Sequence, residues 1–301
     1  MVESLRLKKV DLPNGETYAY REAGKGDKVL LLLHGTMTSS LFFDTLIPLL
    51  EGFFRVIAVD MRGFGHSTYN NKCTKLDDWA EDINLFLTEL KIEKASILGW
   101  STGGGIALKL ASKYPEKTDK LILLSSVGPK GVRIPWEGDS KPTLKDLEEN
   151  WSMGKMLEKA QREGDIKAIR ATFKAGVYNS GRYPDPERFN VYAREACLQR
   201  NSIHVVYSLM TFNISEENNG IVDGTGEAKK IKNKILILHG EDDLIIKKAR
   251  AEEYAKLFGS QAILKIFPGG DHSLMTFDLE GTAKCILEFM SVLNSMISPK
   301  L

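Results

Sequence analysis

A chain of 301 residues, 43% of them hydrophobic, is long enough to bury its own core without disulfide or metal staples. Its 41 basic and 40 acidic residues leave a formal charge of +1, which excludes the electrostatic footprint of a nucleic-acid or anionic-membrane binder. The expected partner is a neutral small molecule or oligomer.

The first nine-residue stretch, "SLRLKKVDL", and the later "ETYAYREAG" alternate and flank "PNG", so the chain opens with a predicted antiparallel hairpin. The pattern then changes to short continuous apolar runs: "VLLLLHG" (29–35), "FRVIAVD" (54–60), "ASILG" (95–99), "KLILLSS" (120–126), "KILILHG" (234–240) and "AILKIF" (262–267). Such runs read as strands buried on both faces. Helical periodicity fills the gaps in "LDDWAEDINLFLTELK", "GGIALKLASKYPEK", "KKARAEEYAKLF" and "LEGTAKCILEFMSVL". Alternating strands and helices predict an α/β protein with a mostly parallel, doubly wound sheet. Residues 128–230 break the rhythm. They contain no strand-like run and are predicted to form a helical cap inserted after the sixth strand, leaving 1–127 and 231–301 as the core.

Cys73, Cys197 and Cys285 lack metal-ligand spacing and fit a reducing compartment. No apolar signal core and no run long enough to span a bilayer is visible, so the expectation is a cytoplasmic protein. Neither a metal nor a cofactor is expected.

Chemistry concentrates at the strand ends, where open α/β sheets bind ligands. In "GWSTGG", Gly99, Trp100, Ser101, Thr102 and Gly103 form G-x-S-x-G between a strand and a helix. Glycines two before and two after let the backbones approach while the serine occupies a tight turn, which suits a nucleophile. The plainer alternative is a helix-capping serine with packing glycines. Acyl transfer also needs two N–H groups aimed at the tetrahedral oxygen. Thr102 supplies one, and Thr36, in the "HGTMTSS" loop with His34 orienting it, supplies the second.

Of five histidines, His34 is assigned to that loop, His66 to a glycine-rich turn, His204 to the cap and His239 to a strand end. His272 follows the last strand through "PGGD" and is the candidate base. "HGEDD" offers the acid, in the chain order Ser, acid, His. Asp243 is preferred to Asp242 because it lies further from the strand end; Glu241 is a third candidate. Trp100, beside the serine, and Met37 are the candidates for lining a substrate pocket. The cap aromatics Trp136, Trp151, Tyr178, Tyr207 and Phe212 read mainly as cap core.

Together "HGTMTSS", "VDMRGFGHS", "GWSTGG", "HGEDD" and "GGDHS" resemble the α/β-hydrolase family over essentially the whole chain. The resemblance implies Ser101 as nucleophile, Asp243 as acid, His272 as base, and the Thr36 and Thr102 amides as oxyanion donors. One departure is Asp271, where many relatives have glycine; it either favours the imidazolium or faces solvent. More narrowly, "HGTMTSS", "VDMRGFGHSTYN", "GWSTGGG" and "FNISEENNGIVDGTGEAKKIK" are similar to intracellular short-chain poly(3-hydroxyalkanoate) depolymerases, including those acting on poly(3-hydroxybutyrate). That implies a serine ester hydrolase acting on 3-hydroxyalkanoate esters or oligomers. Thioesterase, lactonase, peroxidation and C–C hydrolase chemistry would use the same triad, and a ligand receptor on the same fold is the alternative outside enzymology.

Overall fold

The computed structural model describes residues 5–136 and 141–291. Its sheet has eight strands: β1 (Lys8–Asp11), β2 (Thr17–Ala23), β3 (Val29–Leu33), β4 (Arg55–Val59), β5 (Ala95–Trp100), β6 (Thr118–Leu124), β7 (Ile235–Gly240) and β8 (Ala262–Phe267). Their spatial order is β1-β2-β4-β3-β5-β6-β7-β8. β1 and β2 form the expected antiparallel hairpin, β2 pairs antiparallel with β4, and every later pairing is parallel.

β3 is apolar at every position and its parallel neighbours β4 and β5 at most of theirs, because side chains alternate across the sheet and both faces are covered. Leu31, Leu33, Ile57, Ile97, Leu121 and Ile237 belong to one buried cluster, which α2 (Leu76–Glu89), α3 (Thr102–Lys113) and α9 (Ala249–Phe258) join. Leu30, Leu32, Val56, Leu98, Ile122 and Leu238 belong to the other, with α1 (Ile47–Leu50) and α11 (Leu279–Phe289). Two sequence expectations need adjustment. The helix expected over 104–117 runs instead over Thr102–Lys113, because Pro115 cannot continue it. β8 is an edge strand: Ile263 and Lys265 are exposed, so its apolar run is not covered on both faces.

Between β6 and β7 the described residues contain no strand. They form α4 (Leu144–Asn150), α5 (Ser152–Glu163), α6 (Ile166–Ala175), α7 (Pro186–Ala196) and α8 (Ser202–Met210). These helices are not a detached unit. Val205, Leu209 and Phe212 enter the first apolar cluster, whereas Phe173, Tyr178 and Phe189 enter the second. Trp136, Trp151 and Tyr207 pack around a small third cluster formed by Leu147, Ile203 and Met210. A short α10 (Leu274–Phe277) precedes α11. No helix among the described residues is long and apolar enough to cross a membrane.

Candidate active site

Ser101 sits between β5 and α3 with φ 55° and ψ −117°, a conformation that L side chains rarely adopt. Holding it costs about 1–3 kcal/mol, so the surroundings must enforce it. They do so through three hydrogen bonds: the Ser101 amide donates to Leu124 O (3.0 Å), and its carbonyl accepts from the amides of Gly104 (3.0 Å) and Val127 (3.2 Å).

The flanking glycines are required by contact. A Cβ on Gly99 would stand 2.3 Å from Gly103 O, and one on Gly103 would stand 2.2 Å from Leu33 O. Both obstacles are main chain and have little room to yield. Gly103→Ala is therefore expected to cost more than about 3 kcal/mol or to prevent folding. Gly52→Ala, at an exposed turn with open space around it, serves as the control in thermal melting.

The loop after β3 lies against the serine. A Cβ on Gly35 would be 3.0 Å from Ser101 Cβ and 3.5 Å from its Oγ. His34 fixes this loop: its Nδ1–H donates to Gly35 O (2.8 Å) and its Nε2 accepts from the Met61 amide (3.1 Å). Burial holds the ring's pKa down at about 4, against the opposing pull of Asp60, so it is neutral in the middle of the pH range. The hydroxyls of Thr36 and Thr102 are hydrogen-bonded to each other at 2.7 Å. Among the described residues no hydrogen bond occupies either threonine's amide N–H. Thr102 is also the first residue of α3, where amides are unpaired and the helix dipole favours negative charge.

The acid and histidine loops meet beside this turn. His272 Nδ1–H donates to Asp243 Oδ2 at 2.7 Å, while Asp243 Oδ1 accepts from the amides of Ile245 (2.8 Å) and Ile246 (2.9 Å). Burial alone would raise the Asp243 carboxyl. The charge and hydrogen bond of His272, together with the Ile246 amide, outweigh it and hold the group below its ordinary value. Asp242 and Glu241 are exposed, and Glu241 pairs with Lys248. His66 is largely exposed, and His204 bonds Tyr69 and Glu148 in the helical region. The Ser101 hydroxyl is not hydrogen-bonded to the imidazole in this structure. The histidine loop is instead anchored to the neighbouring residue, because the Trp100 indole N–H donates to His272 O at 3.0 Å.

That contact gives Trp100 a second role beside the serine. It is 1% exposed, and its indole holds the histidine loop. Met37 is likewise buried, with φ 61°, and its amide donates to Gln199 Oε1 at 2.7 Å. The chain pattern also left out two supporting residues. His239 lies beneath the acid loop, bonded to Ile246 O (2.7 Å) and 3.6 Å from Asp243; its signal was its place four residues before the acid. Gln199 is 162 residues from Met37 and no local pattern marks it.

Asp271 does not face solvent. Its carboxylate is buried and accepts from the Ser180 hydroxyl and amide and the Ser273 amide. Burial raises its pKa despite these donors. Such an acid holds its proton more tightly folded than unfolded, so it subtracts stability as pH climbs from about 4, the unfolded value, through the folded one. Asp271→Asn loses one acceptor and starts from a lower baseline. Its melting temperature should nevertheless gain on the parent's as pH rises from about 4. A pH-independent gap between the two melting curves would show that the carboxyl carries no such penalty.

A mostly parallel eight-stranded sheet, helices on both faces and a serine on the turn after β5 define the α/β-hydrolase fold. Residues 28–166 match the family model described as alpha/beta hydrolase fold. The chain is 28% identical over 286 residues to a bifunctional esterase/perhydrolase of Acinetobacter calcoaceticus, covering 93% of this chain and 98% of that one. An uncharacterized hydrolase of Saccharomyces cerevisiae is 39% identical over 119 residues, but the match spans only 39% of this chain and 41% of the yeast protein. Among solved structures, an esterase from Exiguobacterium antarcticum superposes with a TM-score of 0.73 at 21% identity, covering 94% and 99% of the two chains, which shows a shared fold.

Proposed function

We propose that the protein is a serine hydrolase that cleaves carboxylic esters through an acyl-enzyme. The observation that carries this reading is the buried Asp243–His272 pair beside a serine held at positive φ with two unoccupied amides next to it. In the proposed reaction Ser101 Oγ attacks the ester carbonyl as His272 Nε2 takes its proton. The tetrahedral oxygen is received by the amides of Thr36 and Thr102. Asp243 stays ionised, keeps the Nδ1–H tautomer and stabilises the imidazolium. The intermediate collapses, and the departing alkoxide takes the proton from His272. Water then attacks the acyl-enzyme with His272 again as base, which releases the carboxylic acid and restores Ser101.

The esterase/perhydrolase relative supports the ester class. The finer substrate reading, short-chain 3-hydroxyalkanoate esters or oligomers, is supported by the sequence resemblance alone. We propose it within the ester class. Turnover of p-nitrophenyl esters of increasing chain length, alongside 3-hydroxybutyrate oligomers, tests both levels. Hydrolysis of short esters with selective cleavage of the oligomers is expected. Ester hydrolysis without oligomer cleavage would remove the finer reading, and no hydrolysis of any ester would remove the class.

A further inference from the structure

The helical region does more than cover the sheet: one of its side chains grips the loop that carries Thr36. Gln199, between α7 and α8, is 4% exposed. Its Oε1 accepts from the Met37 amide (2.7 Å), its Nε2 donates to Asn201 Oδ1 (3.0 Å), and Asn201 Nδ2 donates to Arg62 O (3.0 Å). Only one orientation of both amides satisfies the chain, because it begins at a main-chain donor and ends at a main-chain acceptor.

The two peptide planes flanking Thr36 are thereby held from opposite sides. Gly35 O is fixed by the His34 ring and by the Thr38 hydroxyl at 2.7 Å. Since the peptide is trans and planar, that fixes the direction of the Thr36 N–H. The next plane ends in the Met37 N–H, which Gln199 holds. Met37 is a non-glycine residue at φ 61°, a conformation that persists only when the surroundings impose it. Without the Gln199 acceptor, relaxation of Met37 to negative φ would carry the Thr36 turn away from Ser101.

We infer that Gln199 is a positioning residue for the oxyanion loop, so that stabilisation of the tetrahedral intermediate depends on a side chain from the helical region. The inference rests on the ester-hydrolase reading above. Other ties between this region and the core bypass the Thr36 peptide: Ser39 Oγ donates to Glu195 Oε2 (2.6 Å), and the Arg200 amide donates to Gly63 O (2.9 Å).

The test compares Gln199→Leu, Ser39→Ala and the double variant Gln199→Leu/Met37→Gly on p-nitrophenyl acetate, with melting temperatures recorded for each. Gln199→Leu is expected to lower kcat roughly 10- to 100-fold with KM changed by less than about twofold. Ser39→Ala, which loosens the same region without touching the Met37 amide, should keep kcat within about twofold. Glycine adopts φ 61° without strain, so the double variant no longer gains by relaxing away from it and should recover most of the lost rate. If the leucine variant does not fold, Gln199→Met replaces it in both arms. Parental kcat in the Gln199 variant, equal losses in the Ser39 variant at equal melting temperature, or no rescue by glycine would each overturn the inference. A fluorophosphonate reaction with the parent comes first. No adduct on Ser101 would count against the hydrolase reading itself; a labelled parent with an equally reactive Gln199 variant would count against Gln199 alone.

Discussion

Ser101→Ala should reduce ester turnover by roughly 10⁴- to 10⁶-fold while leaving the fold intact. The size follows from how nucleophile, base and acid act as one unit: removing one member leaves only binding and oxyanion stabilisation. The fold should survive because the turn is held by main-chain hydrogen bonds to Leu124, Gly104 and Val127, none of which involves the hydroxyl. Ser101→Gly separates function from stability more sharply. It relieves a strain of about 1–3 kcal/mol at φ 55° and gives back about 0.5–1 kcal/mol through extra freedom in the unfolded chain. The glycine variant should therefore be inactive and melt at or above the parental temperature. An active Ser101→Ala enzyme, measured after excluding contaminating esterase by titration, would move the nucleophile elsewhere.

Asp243→Asn should cost on the order of 10⁴-fold in kcat, and Asp242→Asn should change it little. The neighbours differ in environment, not in residue type. Asp243 is buried, receives two main-chain amides on one oxygen and the imidazole N–H on the other. An asparagine there must present either its NH₂ or its carbonyl to His272, and the NH₂ orientation forces the wrong tautomer. Asp242 is exposed, and only its main-chain amide and carbonyl are engaged, with Gly270 and Asn179. Steady-state kinetics on both variants decides the assignment. Equal losses, or the larger loss at Asp242, would displace the acid by one position.

The parts of the site that lie in consecutive residues were readable from the chain. G-x-S-x-G carries its own steric logic, and the contacts at Gly99 and Gly103 are those the pattern demands. The parallel sheet was readable because burial on both faces removes the polar alternation of a half-exposed strand. The hidden parts depend on side chains that meet across the fold. Nothing in the local pattern shows that the Trp100 indole bonds His272 O, 172 residues away. Asp271 reads as either a partner of the imidazolium or a solvent-facing residue until Ser180 from the helical region is found covering it. The edge position of β8 is a property of strand order, which the apolar run itself does not encode.

Ser101 is proposed as the activated nucleophile of this chain. The most direct measurement of that role is intact-mass and peptide mapping after brief exposure to a fluorophosphonate. A single stoichiometric adduct is expected, carried by the peptide containing Gly99–Gly103 and abolished in His272→Ala. An unlabelled protein, or an adduct on another residue at comparable rate, would contradict it.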